Sequence, residues 1–330
     1  MTAIALPSEQ LSVPPEVQIP PLPRTPFKLA YKTKWGKMYR GKAEHLWSKR
    51  RLWRYKGKVS LILTSPPFPL NRKKRYGNLQ GEEYKKWLAS FAPLFRQLLE
   101  PQGSIVMEVG NAWEPGEPVM SPLALESLLE FLKAGQFKLC EQFVCYNKAT
   151  LPGPTQWVNV ERIRVKNAYT HVWWLSPTAR PLADNKQVLT PYSEAMLNLL
   201  EKRKYNPGKR HSEHVIGKKS FFKNNKGAIL SNVIEFTNTR STDIYLEYCR
   251  KHHLKVHPAR MAMNVATFFV KFLTTPGSLV LDPFAGSNVT GAAAEQLGRR
   301  WISIERRKGY ITASKGRFPR RGRPRKQTGE

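Results

Sequence analysis

The chain has 330 residues, 41% of them hydrophobic, with 26 prolines and a formal net charge of +31 at pH 7; that is enough for one large α/β domain, or a core domain plus a smaller recognition region, and too apolar for a disordered protein. The charge exceeds what solubility needs and makes a polyanion the natural partner, a merely basic surface being the plainer alternative. No apolar run approaches the roughly 20 residues of a membrane span, no secretion signal opens the chain, and Cys140, Cys145 and Cys249 form neither a CxxC pair nor a zinc spacing, so an intracellular protein with reduced thiols and no metal is expected.

In chain order, residues 1–27 carry Pro7, Pro14, Pro15, Pro20, Pro21 and Pro23 without apolar periodicity, and an extended arm is expected. From 28 to 58, Lys and Arg interleave with Tyr31, Trp35, Tyr39, Trp47, Trp53 and Tyr55, a mixture that suits a phosphate-facing surface with aromatic anchors or a solvated helix face. "LILTSPPFPL" (61–70) is a strand-like run that stops on two prolines and an aromatic. Tyr84, Trp87, Leu88, Phe91, Leu94, Phe95 and Leu98 are spaced by threes and fours and predict one amphipathic helix over 82–100. "SIVMEV" (104–109) predicts a buried strand. "SPLALESLLEFLKAG" predicts a helix with Ser121 as N-cap, Pro122 at its first position and Gly135 as its stop. "THVWWLS" (170–176) predicts another strand.

Residues 178–250 are polar and basic, with one helix expected near 193–204. Regularity returns with a helix over 259–275, the strand "SLVLD", a helix over 290–297 and the strand "WISIE" (301–305). Strands alternating with helices imply a largely parallel sheet covered on both faces.

"SLVLDPFAGSNVTGAAAEQLG" (278–298) is a strand, a glycine turn and a helix in succession. Such a turn, at the carboxyl end of a strand in a doubly wound sheet, is where a nucleotide-like ligand sits. Gly286 lets the backbone approach the ligand, and Glu305, at the end of the next strand, is placed to accept hydrogen bonds from ribose hydroxyls. The dehydrogenase pattern G-x-G-x-x-G is absent, the loop reading G-S-N-V-T-G. A turn that simply packs helix on strand is the alternative for this loop in isolation.

"TSPPF" (64–68) together with "DPFAGSNVTG" (282–291) resembles the paired catalytic and S-adenosylmethionine motifs of the amino-group DNA methyltransferases. Serine in the first motif resembles the cytosine-N4 class, and the order, catalytic motif first and cofactor motif last, is similar to the circularly permuted beta-type arrangement. The resemblance extends through "FPLNRKKRYGN" (68–78), "LPGPTQWVNVERIRVKNAYTHVWWLS" (151–176) and "HPAR" (257–260). It implies a doubly wound, Rossmann-like α/β sheet, circularly permuted, with an inserted target-recognition region. The expected organisation is an arm (1–27), a catalytic half (28–177), a recognition region (178–250), a cofactor-binding half (251–315) and a basic tail (316–330).

The exocyclic amine of cytosine is a poor nucleophile because its lone pair is delocalised into the ring, so both its N–H groups need acceptors. The resemblance assigns this role to Ser65, Pro66, Pro67 and Phe68, with the Ser65 hydroxyl and a rigid Pro66 carbonyl as acceptors and Phe68 stacking on an extruded base. It puts His257, Pro258, Asp282, Phe284, Gly286, Ser287 and Glu305 on S-adenosyl-L-methionine. One departure stands in "YRGKAE", where Lys42 replaces an acid usual in relatives and leaves Glu44 as the substitute. Methylation at carbon-5 would need a cysteine after a proline, and none of the three has one.

In the recognition region, Arg210, His214, Lys218, Asn224 and Asn225 offer base-edge or phosphate contacts. "RRGRPRK" (320–326), with Arg321 and Arg323, is similar to an AT-hook, a non-specific basic tail being the alternative. The expected function is site-specific transfer of a methyl group to the N4 amine of cytosine in double-stranded DNA, beside a restriction endonuclease that reads the same site. A monomer in the cytoplasm, at the nucleoid and away from membranes, is expected. Adenine-N6 methylation and a catalytically silent DNA-binding protein are the competing readings.

Overall fold

A computed structural model describes residues 27–47, 53–69, 79–236 and 243–318. All of the N-terminal arm except Phe27, residues 70–78, and residues 319–330 with Arg321 and Arg323 lie outside the described residues.

The described chain begins with a hairpin, β1 (Lys28–Lys32) and β2 (Gly36–Arg40), followed by β3 (Val59–Thr64). Next come α1 (Gly81–Ser90), α2 (Ala92–Leu98), β4 (Leu99–Gly110), α3 (Leu123–Gly135), β5 (Lys138–Tyr146) and β6 (Tyr169–Ser176). The polar stretch holds α4 (Glu194–Lys202), a short hairpin of β7 (Gly208–Lys209) and β8 (Val215–Ile216), β9 (Val233–Glu235) and α5 (Ile244–Lys251). The chain closes with α6 (Met263–Leu273), β10 (Leu279–Asp282), α7 (Val289–Gln296), β11 (Arg300–Glu305) and α8 (Lys308–Ser314).

Nine strands form one sheet in the order β1-β2-β11-β10-β3-β4-β6-β5-β9. The run from β2 to β4 is parallel, as is the β5–β9 pair, whereas β1, and β6 against both its neighbours, run antiparallel. Successive residues of β3 point to opposite faces. Ile62 packs with α1, α2 and α3 through Tyr84, Leu88, Phe95 and Phe131, while Leu61 and Leu63 pack with α6 and α7 through Phe269, Val270 and Ala293. The expected two-faced cover is present, and the sheet is mixed rather than uniformly parallel.

From β3 the chain crosses through α1 and α2 to β4 on one side; from β10 it crosses through α7 to β11 on the other. β3 and β10 are neighbours, so their carboxyl ends flank the point where the winding reverses, the place where open α/β sheets bind ligands.

Several local expectations are corrected. The single helix over 82–100 is two, because Pro93 in the first turn of α2 has no N–H to continue the ladder from α1. Ser121 does not occupy the α3 cap position; Pro122 does, with Ser121 Oγ accepting from the Leu123 N–H at 3.4 Å. The left-handed residue ending α3 is Gln136 (φ 49°), not Gly135; a Cβ on Gly135 would lie 2.2 Å from the Phe137 ring, so that glycine serves packing. The aromatics at 31 and 35 do not form a phosphate-facing surface. Tyr31 bonds Ser314 Oγ at 2.8 Å and Asn288 Nδ2 at 3.0 Å, Trp35 packs on the core, and Gly36 on β2 leaves room for the buried Trp301 ring of β11. Among the described residues no helix is long and apolar enough to cross a membrane, and no cluster of three or more metal-ligating side chains occurs.

Candidate active site

The loops that follow β3 and β10 meet because the strands that launch them are paired. Thr64, the last residue of β3, donates its hydroxyl to Asp282 Oδ1 on β10 at 2.7 Å. The Phe284 N–H also reaches Asp282 Oδ1, at 3.0 Å, so one buried carboxylate fixes both turns. Burial pushes the Asp282 carboxyl up to about 6, with the Thr64, Thr290 and Phe284 donors pulling the other way.

After Thr64 the backbone turns through Ser65, Pro66, Pro67 and Phe68. The Pro67 carbonyl accepts the Tyr84 hydroxyl at 2.8 Å. Among the described residues neither Ser65 Oγ nor the Pro66 carbonyl has a hydrogen-bond partner, and both residues line a cleft. The Phe68 ring lies flush on the backbone of Gly110, where a Cβ would come within 2.3 Å of it. The glycine at the end of β4 thus sets the position of the ring.

The cleft, about 340 Å³, runs from this turn along the β10–α7 loop to the end of β11. Phe284 sits between Trp87 and Phe91, with centroids 5.5 Å from each, and the Trp87 indole N–H donates to Glu44 Oε1 at 3.0 Å. Lys42 and Glu44 both line this end, so the substituted loop does border the cleft. Gly286 has φ +50° and its N–H donates to Glu305 Oε2 at 3.0 Å; the other oxygen accepts the Arg307 N–H at 2.7 Å. Burial raises the Glu305 carboxyl. Its two oxygens retain lone pairs for further donors, since a carboxylate offers about four acceptor positions.

A Cβ on Gly286 would lie 2.9 Å from His257 Nε2. His257 is itself fixed by its N–H on the Tyr245 hydroxyl at 3.0 Å and by the Tyr310 ring at 4.4 Å. Burial holds its imidazole down at about 4, hence neutral, and its Nδ1 is buried without a partner among the described residues. Pro258 lines the same wall. Ser287 is committed elsewhere: its carbonyl accepts Arg317 Nε at 2.8 Å and its hydroxyl meets Arg317 Nη2 at 3.2 Å. Arg317 lies over Tyr245 on α5, so the loop is braced from behind by α5 and the turn after α8, two short polar segments without a clear sequence pattern.

A second cavity, about 270 Å³, opens on the far side of Ser65 and Phe68 and is lined by Glu108, Cys145, Asn147, Thr150, Asn167, Tyr169, Thr170 and Phe236. Glu108 is 6% exposed, and Thr170 Oγ1 donates to its Oε1 at 3.1 Å. Burial pushes its carboxyl up to about 7, with the Thr170 hydroxyl pulling the other way. Sequence reasoning passes over this residue; the available signal is a lone acid inside the apolar run "SIVMEV". Cys145 is a sealed thiol, pushed up to about 12 by the same burial.

The recognition-region candidates lie apart from both cavities. Arg210 and His214 close the β7–β8 hairpin, the Arg210 N–H bonding the His214 carbonyl at 2.8 Å, and the Arg210 guanidinium rests on the Asn206 carbonyl at 2.6 Å. Lys218 is exposed on the following turn. Asn224 Oδ1 accepts the Lys226 N–H at 2.9 Å, and the Asn225 N–H donates to the Tyr192 hydroxyl at 2.8 Å. Tyr205 packs against Phe221 and Phe222, with ring centroids 5.2 and 5.1 Å away. At the end of the stretch, β9 joins the main sheet beside β5, and α5 packs on α8 and the turn at Lys315–Arg317.

Comparison with known proteins gives a consistent set. A family model described as DNA methylase matches residues 59–316. The type II methyltransferase M.PvuII of Proteus hauseri is 42% identical over 293 residues, 88% of this chain and 86% of its own. M.BglII of Bacillus subtilis is 24% identical over 261 residues, 77% of this chain and 61% of its own. Among solved structures, PvuII DNA methyltransferase (cytosine-N4-specific) superposes with a TM-score of 0.70 at 36% identity, covering 89% of this chain and 90% of that one. A complex of M1.HpyAVI with SAM shares the fold, with a TM-score of 0.51 at 20% identity over 86% of this chain and 98% of that one.

Proposed function

The chain belongs to the DNA methylase family, and from that membership we propose that it transfers the methyl group of S-adenosyl-L-methionine to the N4 amine of a cytosine in duplex DNA, at a specific site. The observation that carries this reading is the 2.7 Å bond from Thr64 to Asp282, which holds the serine-bearing turn and the glycine loop at one cleft. Serine in the first position of that turn, shared cleft walls, and strong similarity to a cytosine-N4-specific enzyme all support it.

The residues present fit the cofactor. Gly286 offers a backbone surface that a side chain would fill, Glu305 keeps acceptor capacity for a diol, and His257 Nδ1 is a buried polar atom awaiting a partner. Phe284 and Trp87 supply ring faces for a purine, with Glu44 and Pro258 along the walls and Asp282 and Ser287 fixing the loop. Bound there, the sulfonium supplies a methyl group that is already activated.

The chain's own contribution is position and electrostatics. Ser65 Oγ and the Pro66 carbonyl accept the two hydrogens of N4, which directs the nitrogen lone pair away from the ring and toward the cleft. Pro67, its carbonyl held by Tyr84, keeps that turn rigid. Phe68, seated on Gly110, stacks on a cytosine flipped into the second cavity. N4 must shed one proton as its new bond forms, and Glu108, lining that cavity with a carboxyl at about 7, receives it. Arg210, His214, Lys218, Asn224 and Asn225 contact DNA, Arg321 and Arg323 add affinity in the minor groove, and the protein acts as a monomer in the cytoplasm, at the nucleoid, protecting sites cut by a cognate endonuclease.

Incubation with DNA and methyl-labelled S-adenosyl-L-methionine tests the reading. Label enters DNA with the wild-type protein, and Ser65→Ala lowers turnover by roughly 10²–10³-fold while DNA and cofactor binding persist. Equal loss of binding and rate removes Ser65 from the proposed role.

A further inference from the structure

The loop joining β5 to β6 spans residues 147–168 and rises at the catalytic edge of the sheet. Thr170 of β6 pairs with Gly110, the residue against which Phe68 rests. Both ends of the loop line the second cavity, through Asn147 and Thr150 on one side and Asn167 and Ala168 on the other.

This loop is braced. The Asn147 N–H bonds the Ala168 carbonyl at 2.8 Å, the Asn167 N–H bonds that of Gly153 at 3.3 Å, and Lys166 Nζ clasps the Lys148 and Thr150 carbonyls at 3.0 and 3.3 Å. Arg164 Nε holds the Pro118 carbonyl at 2.9 Å, and Trp157 lies 5.3 Å from Trp113. A loop so fixed nevertheless shows apolar side chains to water. Leu151 is 83% exposed and Val165 85%, each within two residues of a side chain lining the base cavity. Leaving such a side chain exposed rather than buried costs about 1.5–3 kcal/mol.

The charge around the pair indicates what covers it. Lys148, Arg162 and Lys166 are exposed beside Leu151 and Val165, and the one acid of the loop, Glu161, is occupied by Gln156 Nε2 at 2.8 Å. Apolar tips set among cations beside a cavity that adjoins Ser65 and Phe68 match a DNA duplex at the point where a base leaves the stack. Apolar wedges that enter base steps are a general means of unstacking them.

Resting on the methyltransferase reading, we propose that Leu151 and Val165 form a wedge that enters the duplex as the target cytosine leaves it, occupying the vacated space and holding the flipped state open. Their role is positioning: they touch the DNA around the target, not the reacting atoms.

Single-turnover methylation by the full chain is measured on two short duplexes carrying its methylation site, one with the target cytosine paired to guanine and one with it opposite an abasic position. Unstacking costs a few kcal/mol for a paired base and less for an unpaired one. Leu151→Ala/Val165→Ala is therefore expected to slow the paired duplex by roughly tenfold or more, to leave the abasic duplex close to wild type, and to leave cofactor binding unchanged. Leu151→Met, which keeps the apolar volume, retains the paired rate. No loss on the paired duplex, equal loss on both, or a sedimentation shift marking the pair as a contact between copies of the chain overturns the wedge. Absence of transfer by the wild-type protein to either duplex defeats the methyltransferase reading itself.

Discussion

Glu108 and Asp282 are carboxyl groups sealed into β4 and β10 of the same sheet, with β3 between them, and their different company decides their different behaviour. Asp282 has three donors and serves as a joint; among the described residues Glu108 has Thr170 as its one hydrogen-bond donor and sits at about 7. A carboxyl raised by burial binds its proton more tightly folded than unfolded, so its contribution to stability is full below the ordinary value of 4.5 and is lost as pH rises through 7. Glu108→Gln should match wild type near pH 4 and exceed it by about 3 kcal/mol at pH 8, following the shift from 4.5 to about 7. Denaturant unfolding at the two pH values measures this, and a difference independent of pH contradicts the assignment. Ser65 and Phe68 were legible in the sequence because a strand that ends on two prolines is unusual. Glu108 was not, since one acid does not alter the apolar reading of a strand whose every neighbour is buried.

At the level of elements, legibility followed local signal strength. β3, β10 and β11 are short apolar runs closed by turn residues, and the residues at their ends line one cleft. β5 escaped notice because its outward residues, Lys138, Glu141 and Gln142 among them, break the apolar pattern. α5 and α8 are short and polar enough to pass for loop, yet α5 carries the Tyr245 on which Arg317 and His257 both depend. The β10–α7 loop is shaped by a contact 29 residues distant in sequence, His257 against Gly286, which no local pattern reveals. Gly286→Ala adds both a left-handed strain of about 1–2 kcal/mol and a collision with His257. Calorimetry should record cofactor binding weakened by roughly tenfold or more. In thermal unfolding without cofactor, His257→Ala in the same chain should recover the collision part of the lost stability and leave the backbone part. A Gly286→Ala protein that binds as tightly as wild type refutes the tight approach.

On the scale of the whole molecule, two motifs more than 200 residues apart in the chain share one cleft because β3 and β10 lie side by side where the winding of the sheet reverses. The resemblance of the paired motifs implied that adjacency; the antiparallel β6 and the loop it carries beside Phe68 did not follow from it, since strand direction depends on where a connection crosses rather than on local composition. The charge of +31 implied a polyanion, and the aromatic residues interleaved with it at 31 and 35 turned inward because a sheet edge needs cover more than a surface needs rings. On the proposed reading, the serine turn decides which atom receives the methyl group. DNA methylated by the purified chain with labelled S-adenosyl-L-methionine, digested to nucleosides and separated, should carry its label on N4-methylcytosine and lose it with Ser65→Ala; label on N6-methyladenine, or none in DNA, would overturn the assignment.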